Sequence, residues 1–172
     1  MITSIDDKEW IRSSWESVFV SKDPFSNPFR SPDFSLILFY GLEGYHLSHT
    51  QYQAILEAIA ALNESEFLIS HIEYEEDFIL QGEHWLCSDP STYTEYIKVP
   101  IYVENALYSQ KGTWGAILSH EDHAVVGGSS QFVETVKEHY PQWEEDRREL
   151  FAYWEGNPNG AWLEAMSKDG ST

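Results

Sequence analysis

Apolar positions recur along this chain with two periods. From Thr50 to Leu62, the residues Tyr52, Ile55, Leu56, Ile59 and Leu62 follow the i, i+3, i+4, i+7 spacing that lines one face of an α-helix. Thr50 and Gln53 give a capping-box pattern at its start, and Asn63 is a natural stop. The same period predicts a helix over Ser130–Tyr140, from Phe132, Val136 and Tyr140, with Ser129 or Ser130 as its cap. Another is predicted over Gln142–Glu155, where Trp143, Leu150, Phe151 and Trp154 recur at helical spacing and Arg147 joins their face. A shorter amphipathic helix is expected within Ile5–Val20, from Ile11, Trp15, Val18 and Phe19. Trp162, Leu163 and Met166 form a last turn before a frayed tail at Lys168–Thr172.

The second period is two. It predicts strands near Phe34–Tyr40, Glu66–Tyr74, Glu95–Tyr108, Thr113–Ser119 and Ala124–Val126. In Thr113–Ser119, Trp114, Ala116 and Leu118 share one face. In Glu95–Glu104, Ile97, Val99, Ile101 and Val103 alternate with Tyr96, Lys98 and Tyr102, and Pro100 suggests an edge position or a bulge. Gln110-Lys111-Gly112 reads as a hairpin turn, and Gly127-Gly128 as the turn that ends the strand before the helix. The Pro-rich stretch 21–32 is a loop or extended arm, and Gln81–Thr94 a long loop. The pattern as a whole predicts a single α+β domain over 1–172: an antiparallel sheet packed by a few helices.

Composition supports a folded chain. Of 172 residues, 42% are hydrophobic and 15% aromatic, far from the profile of a disordered acidic segment. Charge changes the picture more. Twenty-nine acids face ten bases, a formal net charge of −19. No Lys or Arg lies between Arg30 and Lys98, whereas twelve acids do, so this interval must either project negative potential or borrow cations from elsewhere. Nucleic-acid binding through phosphates requires the opposite sign, and an anionic membrane surface is disfavoured for the same reason. The longest apolar run, Leu36–Tyr40, is too short to span a bilayer, and Met1–Trp10 lacks the apolar core of a signal peptide. The single cysteine, Cys87, allows neither an intrachain disulfide nor a cysteine metal cluster. A cytoplasmic setting is expected.

Candidate chemistry is sparse. His120, Asp122 and His123 are residue types that ligate zinc or manganese, but in one turn they read more simply as a solvated hairpin end. Glu73, Glu75, Glu76 and Asp77 place four acids within five residues. Acids this close on one segment diverge rather than oppose each other across a cleft, so a partner-binding patch is expected in preference to acid/base catalysis. Ser48-His49 and Ser119-His120 are sequence neighbours and give no triad geometry. Gly127-Gly128-Ser129-Ser130 lacks a nearby Lys for a phosphate loop. Cys87 has no basic neighbour to activate it. Neither a catalytic fingerprint nor a cofactor motif is expected. Most of the seven tryptophans belong to the core, with one or two expected at a binding surface.

Trp114–Ser119, followed by His123–Ser129 and then Phe132, gives a strand–turn–strand–Gly-Gly–helix pattern. It resembles the C-terminal part of small bacterial toxin-immunity proteins. The resemblance implies a cytoplasmic α+β protein that acts by binding a toxin. An acidic chain independently suits a basic partner, such as a nuclease-type toxin domain, because electrostatic steering accelerates capture. A small enzyme with a His/Glu site in an aromatic pocket and a non-catalytic scaffold subunit are the alternatives.

Overall fold

A computed structural model describes residues 1–88 and 91–168. Its centre is a seven-stranded, wholly antiparallel sheet built from β1 (Ile2–Ile5), β2 (Ser35–Tyr40), β3 (Glu66–His71), β4 (His84–Ser88), β5 (Asn105–Tyr108), β6 (Trp114–Leu118) and β7 (His123–Gly128). The strand order is β1-β4-β3-β5-β6-β7-β2. Side chains alternate between two cores. Ile37, Phe39, Phe67, Ile69, Leu107, Trp114, Ala116, Leu118 and Val126 face one; Leu36, Leu38, Leu68, Ala106, Tyr108, Ile117 and Val125 face the other. Both faces are covered, which is why the strands read as near-continuous apolar runs.

Helices α2 (His49–Ala61), α4 (Tyr93–Tyr96) and α5 (Ser130–His139) cover the first face. Helices α1 (Lys8–Val18), α3 (Phe78–Gln81), α6 (Trp143–Trp154) and α7 (Ala161–Lys168) contribute to the second. The expected α+β class therefore stands, and the predicted helices at Thr50–Leu62, Ser130–Tyr140 and Gln142–Glu155 are present within a residue or two at each end. The first starts earlier than its predicted cap. Ser48 accepts from Gln51 N–H and Gln51 Oε1 accepts from Ser48 N–H, so the capping box lies two residues upstream of Thr50–Gln53. Ser129 caps α5 as expected.

Three readings of the sequence require correction. Glu95–Glu104 is not a strand. A capping box between Thr92 and Glu95 starts α4, and Pro100, which has no N–H to donate, lies in the irregular run before β5; only Asn105–Tyr108 pairs. Val99 and Ile101 are buried nonetheless, so the alternation marks burial without a ladder. Within Gln81–Thr94, read as a loop, β4 pairs with both β1 and β3. Its inward positions include His84, a polar residue that hides the strand pattern, and its partner β1 is about 80 residues distant in sequence. Gly127 and Gly128 do not form a turn. They are strand residues of β7, small because aromatic side chains lie on them: the Phe29 ring over Gly127, and the Phe132 ring with the Trp114 Cβ over Gly128. The frayed tail expected at Lys168–Thr172 falls, beyond Lys168, outside the described residues.

The outer edge of β2 is closed by α6. Tyr40 N–H donates to Asp146 Oδ2 at 3.1 Å, so a side chain supplies the acceptor that a further strand would have offered.

Candidate functional site

Because neighbouring strands alternate in direction, the segments after β1, β2, β3 and β6 and the segment before β5 all emerge at one end of the sheet. These segments are rich in acid. Residues 6–7 hold two carboxylates, 41–48 one, 72–83 five, 97–104 one and 119–122 two, against a single base, Lys98. Cations reach this end mainly from outside these segments. Lys8 Nζ lies 2.8 Å from Asp6, and Arg12 Nη2 lies 2.5 Å from Asp77. Lys22, from the Pro-rich arm, donates to the carbonyls of Ile72 and Tyr74.

The four acids singled out from the sequence divide here. Glu73, Glu75 and Glu76 are exposed. Asp77 is committed internally: it caps α3 by accepting from Ile79 N–H and pairs with Arg12, whose guanidinium holds its carboxyl below the usual range. Glu73 has a partner that sequence reasoning missed, Glu104, which arrives from the segment before β5 and carries no local signal of its own. Glu73, Glu75 and Glu104 line a cavity of about 450 Å³ whose other wall is Lys22, Asp23 and Pro24 of the arm. Two large apolar side chains stand exposed at the same end, Leu80 at 62% and Tyr102 at 59%. An apolar anchor among charges is the composition of an interface centre and its rim.

The three residues His120, Asp122 and His123 do not converge on one point. Asp122 takes a left-handed backbone (φ 66°) and its Oδ1 accepts from Leu42 N–H. His123 is fully buried between Ser119 and the arm. His120 alone turns outward, with Nδ1 2.8 Å from Glu104 Oε2, a contact that raises its pKa. Glu73, Glu104 and His120 offer three ligand atoms within 4.8 Å of one another, and these could span a divalent cation; of the three, His120 and Glu104 are joined as an ion pair.

Two serine–histidine pairs do form, neither of them between sequence neighbours. Ser70 Oγ meets His84 Nδ1 at 2.7 Å, and Ser119 Oγ meets His123 Nδ1 at 2.7 Å. Both serines are buried, so no substrate carbonyl reaches them, and the pairs are structural. Cys87 is buried, and burial pushes its thiol pKa up, as expected of an inert cysteine. Of the seven tryptophans, Trp15, Trp85 and Trp114 are buried, whereas Trp10, Trp143, Trp154 and Trp162 are half-buried at the margins of the two cores. Among the described residues, no helix is long and apolar enough to cross a membrane. Compared with known proteins, the chain matches no family model, no curated protein and no solved structure.

Proposed function

We propose that this chain is a binding protein of the toxin-immunity type, which neutralises a basic protein partner in the cytoplasm by covering it with the acidic end of its sheet. The observation that carries the reading is the gathering of carboxylates from five separate segments at one end, two of which also expose a large apolar side chain, Leu80 and Tyr102. Acids without internal cations repel one another in the free protein, and a partner bearing Lys and Arg relieves that repulsion. The apolar pair supplies the desolvated contact that charge alone lacks.

The test uses the full chain as bait against the products of adjacent genes. A single stoichiometric basic partner, whose toxicity the chain suppresses, is the expected result. A stoichiometric partner that binds equally well after Glu75→Lys, Glu76→Lys and Tyr102→Ala would overturn the assignment of this face. The absence of any partner among those products would overturn the immunity reading itself.

A further inference from the structure

The two outer edges of the sheet are finished differently. At β2 the carboxylate of Asp146 takes the N–H of Tyr40. β1 forms the other edge. The register of β4 fixes which backbone groups of β1 are used. The carbonyl of Glu83 accepts from His71 N–H, so Glu83, Trp85 and Cys87 turn their bonding groups toward β3. The alternate residues of β4 turn theirs toward β1, and Ser88 N–H accordingly donates to the carbonyl of Met1. Thr3 and Ile5, opposite Leu86 and His84, are therefore the bonded residues of β1. Ile2 and Ser4 point their N–H and C=O away from the sheet, and among the described residues no other backbone segment bonds them.

Side chains do not shield this edge. Ile2 packs against one core and Ile5 against the other, whereas Thr3 and Ser4 are exposed. The strand carries no Lys, no Pro and no bulge, the devices that keep an edge from accepting another strand. Charge selects the occupant. Asp6, Asp7 and Glu9 follow β1 directly, Glu83 immediately precedes β4, and all four are exposed. The nearby cations are engaged: Lys8 lies 2.8 Å from Asp6, and Arg12 2.5 Å from Asp77. A second copy would bring another net charge of −19 to the same edge, which disfavours pairing of β1 with itself.

We infer that the β1 edge is a docking site for an extended, Lys- or Arg-bearing segment of a partner protein, which adds to the sheet outside β1. The N–H and C=O of Ile2 and Ser4 supply the main-chain bonds, and the carboxylates at the end of the strand take the basic side chains. The inference rests on the reading above for the kind of partner, a basic protein, and adds how such a chain is held.

The test needs no natural partner. Its probe is a short synthetic peptide alternating lysine and valine, with a glutamate–valine peptide as control, added to the full chain while amide hydrogen exchange is followed by NMR. In the free protein Ile2 and Ser4 are expected to exchange fast, and Thr3 and Ile5 slowly. The lysine peptide at about ten times its Kd should slow Ile2 and Ser4 about tenfold, and the glutamate peptide should leave them unchanged. Ser4→Pro removes a donor that faces away from β4, so it should keep the fold and abolish the protection. Should that variant fail to fold, Ser4→Lys decides: it keeps every backbone group, sets a cation on the edge and should bind the lysine peptide several-fold more weakly. Ile2 and Ser4 amides that are already slow in the free chain, or that the lysine peptide leaves unmoved, would overturn the docking edge. Protection that grows with protein concentration alone would make the occupant a second copy and overturn it equally. Failure of the immunity reading looks different. If the peptide docks here while no adjacent gene product binds, that reading falls and the edge still holds a basic strand; a product that binds without slowing Ile2 and Ser4 keeps the reading and overturns the edge.

Discussion

Asp146 Oδ2 accepts the hydroxyl of Tyr140 at 2.7 Å, buried between α6 and the end of α5. The same oxygen takes Tyr40 N–H from the sheet edge, and Tyr140 receives Gln51 Nε2 at 3.3 Å, the residue whose Oε1 closes the capping box of α2. One carboxylate thus joins three helices and the edge strand. Burial raises its pKa despite these donors, so ionising Asp146 works against the fold.

Asp146→Ala leaves two buried donors unpaired and is expected to cost roughly 2–4 kcal/mol in urea unfolding. Asp146→Asn keeps an acceptor without the charge and should stay within about 1 kcal/mol of the parent at neutral pH. A folded-state pKa above 3.8 means that the folded protein binds the extra proton, so the parent should gain on the Asn variant as pH falls toward 3.8. Equal losses for Ala and Asn would show that the contact is packing alone.

Trp114 is fully buried, with its ring stacked on Phe132 at 5.3 Å and 14°. This is the strand-to-helix contact that the short link after β7 requires. Trp114→Ala should cost about 3–5 kcal/mol. Among the described residues the indole N–H has no hydrogen-bond partner, so Trp114→Phe should cost clearly less, because it removes an unsatisfied donor with the lost ring. Thermal unfolding of both variants ranks them.

A methyl group at Gly115 would stand 2.6 Å from Val18 Cγ1 and 2.7 Å from Phe19 Cζ. Gly115→Ala must push the end of α1 off the sheet and should destabilise by about 1–3 kcal/mol, whereas Gly41→Ala, where a methyl meets nothing, is strained only by its positive φ. Chemical denaturation midpoints compare the two.

The buried histidines set the acid side of the stability profile. His84 is held at about 4, against 6.5 when exposed, chiefly by burial. Its folded-state pKa lies below its unfolded one, so the unfolded chain binds more protons, and stability is lost as pH falls from about 6.5 to about 4. His84 alone accounts for about 3 kcal/mol across that window, and His46, His71 and His123 act in the same direction. His120 opposes them: Glu104 raises its pKa, so its contribution is full at low pH and is lost as pH rises. Unfolding free energy measured from pH 7.5 to 4 should fall monotonically, and His84→Gln should flatten the curve.

Once a partner is in hand, Glu75→Lys with Glu76→Lys should slow association more than it speeds dissociation, and the wild-type rate should fall with added salt. Both side chains are exposed and the charge change relieves repulsion, so the free double variant should be no less stable than the parent. Stopped-flow association at two ionic strengths reads this directly. Normal binding by the variant would reduce the acidic end to a solubility feature.

The sequence by itself determined the elements whose signals are local. The stripe of α2, the Ser129 cap, the hairpin of β5 and β6 and the in/out alternation of Trp114, Ala116 and Leu118 each depend on residues a few positions apart, where helical period and pleat act directly. It also determined that 31–97 lacks bases. Tertiary structure decided what depends on distant partners. β1 forms by pairing with β4 across about 80 residues, β4 pairs with β3 as well, and His84 is inward only because Ser70, itself bonded to Tyr108, and the carbonyl of Ile79 satisfy it there. Val99 and Ile101 alternate as a strand does, yet Pro100 and the capping box at Thr92 leave them without a ladder. The acidic end is likewise a product of topology. Glu73 and Glu104 are 31 residues apart, and only an antiparallel sheet, which returns every second connection to the same side, brings them and the other loop carboxylates to one end.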